Sequence, residues 1–151
     1  MTESASQRPA GPFRCECGAL QVRHLMTKDP VVGFMETPLP DLLKMLGKHS
    51  IRHLPILDDT DTLRGIVSQR DLARAQTRMG VASMTASQIM TRDPAVVRFD
   101  DCASAVAIAL GEGQGSSRPV VDERGHLVGI LTETDYVRYY THAHRLFEAK
   151  K

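Results

Sequence analysis

No apolar run in this chain approaches the roughly 18 residues a helix needs to cross a bilayer. Neither sign of charge is in excess: 19 Lys and Arg against 18 Asp and Glu leave a formal net charge of +1. That balance gives no electrostatic case for nucleic acid or a membrane surface as a partner. Cysteine is scarce, and three thiols make no disulfide framework, which fits a reduced, cytoplasmic setting. The opening MTESASQRPAGPF has no apolar stretch of the kind a secretory signal carries, and reads as a flexible polar tail. Catalytic signatures are missing too: there is no P-loop, G-x-S-x-G, H-E-x-x-H or dinucleotide-binding fingerprint. The six histidines, two of them in THAH at 141–144, cluster near no obvious nucleophile, so the expectation is a protein without catalytic residues.

Cys15 and Cys17 in RCECG stand close together, but a zinc site needs about four ligands and no second pair follows. His24 could be a third ligand and a partner chain could supply others, so a metal or redox role is a separate possibility. The expectation is no metal.

What the sequence does contain is a duplication. Residue i placed over i+64 aligns Leu25 to about Arg74 with the second half, without a gap. LMTKDPVV (25–32) lies over IMTRDPAV (89–96), LPILD (54–58) over RPVVD (118–122), and LRGIVSQRD (63–71) over LVGILTETD (127–135). The matches include Pro, Gly and Asp, which shared apolar composition alone would not align.

Each copy has a readable order. Val31–Met35 and Ala95–Phe99 are short apolar runs suited to strands. Thr37-Pro38 and Asp101-Cys102 look like helix starts, with Thr or Asp as N-cap. Leu39, Leu42, Leu43 and Leu46 then make one helical face, repeated with smaller side chains by Ala103, Val106, Ala107 and Leu110. Gly47, and Gly111 with Gly113, suit helix exits. Two short strands follow in each copy, joined by the polar turns DDTDT and DERGH, and a second helix begins near Asp71 and near Asp135. The unit is β-α-β-β-α. One copy of about 50 residues is too small to bury a sheet well, so two copies packed sheet to sheet over a shared core are expected.

This duplicated unit, with its MTxDP, LPILD and GIVSQRD, resembles the CBS domain, named for cystathionine β-synthase, and the tandem is similar to a Bateman module. The resemblance implies an α/β (α+β) fold of two β-α-β-β-α CBS repeats packed as a pseudo-twofold pair. The boundaries read as a tail over 1–19, repeat 1 over 20–75, a linker over 76–86, repeat 2 over 87–140 and a C-terminal helical tail over 141–151.

In both GIVSQRD and GILTETD a strand ends in a hydroxyl residue and a carboxylate follows three positions on. A hydroxyl at a helix start lies near free N–H groups and the positive dipole end, which favour an anion such as phosphate. The carboxylate repels phosphate but suits the paired donors of a ribose diol. The plainer alternative is a helix N-cap with a first-turn carboxylate, stabilising by about 1 kcal/mol and binding nothing.

The resemblance implies an adenine nucleotide (AMP, ADP or ATP) as ligand, with NAD or S-adenosylmethionine less favoured. Carried over by position, Ser68 and Asp71 serve one cleft and Thr132 and Asp135 the other. The base is expected against Thr27, Val31, Val32 and Gly33, and against Thr91, Ala95, Val96 and Val97. Arg52 and His53 occupy positions that reach phosphate in similar modules; the second copy has Ser116, Ser117 and Arg118 there. Grouped by copy, Arg52 and His53 accompany the first motif and the short side chains the second, so two unequal clefts are expected. The resemblance further implies a face-to-face homodimer and a sensor acting on an unidentified regulated protein. The alternative is a structural dimerisation module with empty clefts or another adenosyl ligand. In the last segment Tyr136, Tyr139, Ala143 and Phe147 form a helical stripe that packs on its own module or on a partner.

Overall fold

The computed structural model describes residues 20–113 and 115–150; Cys15 and Cys17 lie outside them. In chain order the elements are β1 (Thr27–Lys28), β2 (Gly33–Phe34), α1 (Leu39–His49), β3 (His53–Leu57), β4 (Leu63–Ser68), α2 (Gln69–Ala75), α3 (Ala86–Ile89), β5 (Thr91–Arg92), β6 (Val97–Arg98), α4 (Ala103–Gly111), β7 (Ser117–Val121), β8 (Leu127–Thr132) and α5 (Glu133–Glu148). Short 3-10 turns occupy Val22–His24 and Val81–Ser83.

The strands form two four-stranded sheets, in the orders β2-β3-β4-β5 and β1-β8-β7-β6. Each sheet therefore takes one edge strand from the opposite repeat. Thr27 pairs with Ile130 and Lys28 with Gly129; 64 residues on, Thr91 pairs with Ile66 and Arg92 with Gly65. The hairpins repeat the same register, His53 opposite Ser68 and Ser117 opposite Thr132. Identical pairings at a constant offset make the two halves pseudo-twofold mates.

The expected single shared core is corrected to two. One cluster lies around Leu42, Leu46, Leu54, Ile56, Val67 and Leu72 and takes Ala86 and Met90 from the segment that leads into β5. The other lies around Val97, Val106, Leu110, Val120 and Leu131 and takes Val22 and Leu25 from the segment that leads into β1. Each repeat is thus closed by the leading segment of the other. Strand alternation turns Pro55 with Ile66, and Pro119 with Ile130, to the opposite faces; both prolines are fully buried there. Pro55 is tolerated in an inner strand because β2 pairs only from Ile56 onward, so no neighbour on that side needs its missing N–H.

Two helix starts differ from expectation. Pro38 and Cys102, not Thr37 and Asp101, are the N-caps, and neither has a capping side-chain bond. Thr37 and Asp101 close the turn before the helix instead: Thr37 Oγ1 accepts from Phe34 N at 3.0 Å and Asp101 Oδ2 from Arg98 N at 2.8 Å. Gly47 is not an exit; α1 runs two residues past it and Ser50 turns left-handed at φ 51°. The repeated Asp of LPILD and RPVVD organises the hairpin turns. Asp58 accepts from Thr60 N, Thr62 N and Arg64 Nε, and Asp122 from Arg124 N and His126 N. Hydrogen bonds from Thr60 and its turn hold the Asp58 carboxyl well below the usual range.

Of the C-terminal stripe, Tyr136 and Tyr139 pack on the second core, Tyr136 Oη donating to the Ala103 carbonyl at 2.7 Å. Burial raises that phenol to about 12. Ala143 and Phe147 are exposed.

Gly65 and Gly129 let the exchanged segments lie close. A Cβ on Gly65 would sit 2.5 Å from Met90 Sδ and 2.8 Å from the Thr91 carbonyl, whereas one on Gly47 would meet nothing within 4 Å. Gly65→Ala is therefore expected to lower stability by about 1–3 kcal/mol, and Gly47→Ala, mid-helix, to raise it by about 0.5–1 kcal/mol. Urea unfolding midpoints check both; equal midpoints for the two variants would contradict the close approach.

Candidate functional site

The strand exchange brings Thr27 beside β8, and with it the segment that follows Thr27 toward the start of α5. Between them and the start of β3 lies a cleft of about 320 Å³. Thr27, Asp29, Pro30 and Val31 form one wall, and His49, Ser50, Ile51, Arg52 and His53 a second. The third wall comes from repeat 2: Ile130, Thr132, Thr134, Asp135 and Arg138.

Asp135 is the anchor, almost fully buried at 3% exposure. Its Oδ2 accepts from Thr132 N at 2.8 Å and Thr132 Oγ1 at 3.1 Å, the capping box of α5. Its Oδ1 accepts from Thr27 Oγ1 at 3.0 Å and from Arg138 Nη1 at 3.4 Å. Helix capping and cleft lining thus use opposite edges of one carboxylate. Across from repeat 2, Arg52 Nη2 donates to Thr134 Oγ1 at 3.4 Å, which places a guanidinium beside the first turn of a 16-residue helix. A cation and a helix N-terminus together favour an anion at that end. Ile51, Val31 and Ile130 give the cleft its apolar part. The arrangement suits a flat apolar group, a diol at Asp135 and an anionic tail.

Grouping by copy does not survive. Arg52 and His53 share a cleft with Thr132 and Asp135, not with Ser68 and Asp71, because the edge strands are exchanged. By the offset of 64, Ser68 and Asp71 with Thr91, Ala95, Ser116 and Ser117 hold the positions that correspond to this lining. There Asp71 Oδ2 accepts from Ser68 N and Ser68 Oγ, both at 2.8 Å, again as a capping box. Oδ1 of Asp71 accepts from no described residue, so this carboxylate is the less occupied of the two.

Two residues expected to meet a base lie elsewhere. Gly33 is buried with Leu42, Leu54 and Ile56 around its α-carbon, and Val97 is a core residue at 2% exposure. Both point under the helices. Val32 lines a separate open hollow near Thr60 and His126, and Val96 is largely exposed. Arg118 is buried on β7. Thr134, Arg138, His49 and Ser50 line the cleft without having been expected there. Thr134 and Arg138 occupy variable positions around the motif and gain meaning only once α5 is set against β3. His24 Nδ1 accepts from Gln21 N at 3.0 Å. Among the described residues no group of three or more His, Cys, Asp or Glu could hold a metal, and no helix is long and apolar enough to cross a membrane.

Comparison with known proteins agrees with this geometry. The family model for the CBS domain matches twice, over residues 22–78 and 86–142. The chain belongs to the CBS-domain family. Its fold is similar to CBSX2 from Arabidopsis thaliana, solved in complex with AMP, at 30% identity and a TM-score of 0.75 over 83% of this chain and 98% of that one. The CBS domain pair of protein MJ0100, in complex with 5′-methylthioadenosine and S-adenosyl-L-methionine, is 32% identical, with a TM-score of 0.71 over 88% and 99%. L-aspartate semialdehyde sulfurtransferase of Methanocaldococcus jannaschii is 33% identical over 119 residues, 79% of this chain and 23% of that protein. The chain spans under a quarter of the length of the curated relatives it matches, and the match is their CBS region alone.

His53 stands where the two CBS repeats meet. It lines the Arg52 cleft while its Nε2 is hydrogen-bonded to Ser116 Oγ at 3.0 Å, the mate of Arg52. Burial pushes its imidazole below the ordinary value of 6.5; the Arg52 charge adds to this, and Asp71 and Glu133 oppose it. A histidine depressed in the folded state contributes stability that is complete above about pH 6.5 and is lost as pH falls through the folded value. Thermal midpoints should therefore fall more steeply from pH 6.5 to 5 in the wild type than in His53→Gln. Parallel curves for the two proteins would show that His53 titrates as it does in the unfolded chain.

Proposed function

We propose that this CBS pair is a non-catalytic sensor that takes an adenine nucleotide between its repeats and reports it to a partner protein. The observation that carries the reading is the Asp135 cleft, in which a diol-sized acceptor in the first turn of α5 and the Arg52 guanidinium beside that turn are held by different repeats. The AMP, 5′-methylthioadenosine and S-adenosyl-L-methionine complexes of similar CBS pairs support an adenosine-type ligand. Arg52 favours a phosphorylated one, AMP, ADP or ATP, over NAD or S-adenosylmethionine. A ligand touching both repeats stabilises the arrangement it fits, by about 2.7 kcal/mol at a hundredfold excess over Kd. Differential affinity for two arrangements is all that regulation of a partner requires.

A homodimer fits this reading. On α4 and α5, Ile108, Val137 and Tyr140 are about two-thirds exposed, whereas their mates in repeat 1 are Lys44, Ala73 and Gln76. The apolar faces of repeat 2 are where a second copy would pack. Ile108→Glu should then reduce the sedimenting species from two chains to one; an unchanged mass would exclude this face.

The second reading, a dimerisation module with empty clefts, is favoured by the capping boxes that occupy both hydroxyl–carboxylate pairs. Calorimetric titration with AMP, ADP, ATP, NAD and S-adenosylmethionine separates the two. AMP is expected to bind, Asp135→Ala to weaken it about 10- to 100-fold, and Arg52→Ala to weaken AMP but not adenosine. No heat with any of the five ligands would leave the dimerisation reading in place.

A further inference from the structure

The Asp135 carboxylate has no vacant acceptor site. A carboxylate offers about four lone-pair positions, and four donors already use them. Oδ2 accepts from the Thr132 amide and hydroxyl, and Oδ1 from the Thr27 hydroxyl and Arg138 Nη1. A diol that donates to Asp135 therefore has to displace a donor that is there now.

The four are not equally held. The two from Thr132 belong to the capping box of α5, and losing them would uncap the helix. Thr27 Oγ1 stands at 3.0 Å on a strand whose backbone is paired with Ile130. Arg138 Nη1 is the most distant at 3.4 Å, and its side chain is 69% exposed against 3% for that of Asp135. Solvent screens so exposed a partner, which makes the pair a weak one. Arg138 is the donor that yields. Among the described residues Arg74, its counterpart by the offset of 64, forms no ion pair with Asp71.

A displaced Arg138 stays at the cleft, because it lines the wall one helical turn beyond Thr134, where Arg52 donates. A long side chain on a helix leans back toward the N-terminus, so the guanidinium is directed along the wall toward Thr134. Two guanidinium groups thus flank the first turn of α5. An unphosphorylated nucleoside brings only its diol: it takes the carboxylate from Arg138 and offers the cation nothing in return. A phosphorylated one supplies a new anion for the cation it displaces.

We propose that Arg138 is the specificity-determining residue of the Asp135 cleft: it holds the carboxylate in the empty protein, is displaced by the ligand's diol and re-pairs with the ligand's phosphate. The proposal rests on the nucleotide reading and deepens it, since it names what the cleft rejects. Arg52 adds affinity for an anion, whereas Arg138 also penalises a diol that arrives without one.

Calorimetric titration of the full chain and of Arg138→Met tests it, with adenosine, AMP and 2′,3′-dideoxyadenosine, which lacks the diol. Methionine matches arginine in helix propensity and removes every donor. The variant is expected to bind adenosine about two- to fivefold more tightly and AMP about tenfold more weakly. Dideoxyadenosine, which does not compete for Asp135, should bind both proteins alike. A merely loosened helix would move all three ligands in one direction, and the change at Arg52 should move AMP alone. An unchanged adenosine affinity, or AMP tightening as adenosine does, would overturn the role of Arg138 and leave the nucleotide reading standing. Dideoxyadenosine gaining as much as adenosine would do the same. No binding of adenosine or AMP to either protein would sink the nucleotide reading and this proposal with it.

Discussion

Each MT segment hydrogen-bonds to the sheet of the opposite repeat, Thr27 beside Ile130 and Thr91 beside Ile66. These pairings are two residues long and would be negligible alone. They carry weight because the chain around them is buried: Val22 and Leu25 enter the second core on one side of β1, and Ala86 and Met90 enter the first just before β5. Gly65 and Gly129 leave the room this needs. Neither CBS repeat is closed without the leading segment of the other, and the pseudo-twofold pair is the folding unit.

The functional geometry follows from that exchange. Because β1 lies on β8, Thr27 reaches Asp135, and the strand start carrying Arg52 faces the first turn of α5. The acceptor proposed for a diol and the cation proposed for a phosphate come from different repeats, so on that reading a bound ligand touches both. On the proposed reading the cleft is the interface, and filling it biases the interface. The carboxylate of each motif caps its helix with one edge, and that of Asp135 meets the cleft with the other.

Much of this was legible in the residues. The constant offset of 64, with Pro, Gly and Asp in register, identified the duplication, and the alternating runs HLPIL, LRGIVS and LVGILT became strands where they were expected. Periodicity marked α1 and α4. The exchange was not legible, because Thr27–Lys28 and Thr91–Arg92 are exposed on both faces and carry no alternation. Grouping Arg52 with Ser68 and Asp71 followed from reading each copy as self-contained. Gly33 and Val97 were misplaced for a related reason: the apolar run after DP narrows to two paired residues, and these are the ones turned inward.

The central claim is that one ligand lies against both repeats, between Arg52 and Asp135. A crystal structure of the chain grown with AMP tests it most directly. The account predicts the ribose hydroxyls on the Asp135 carboxylate and the phosphate between Arg52 and the first turn of α5 in the same cleft. AMP bound outside the inter-repeat clefts, or contacts confined to one repeat, would contradict it.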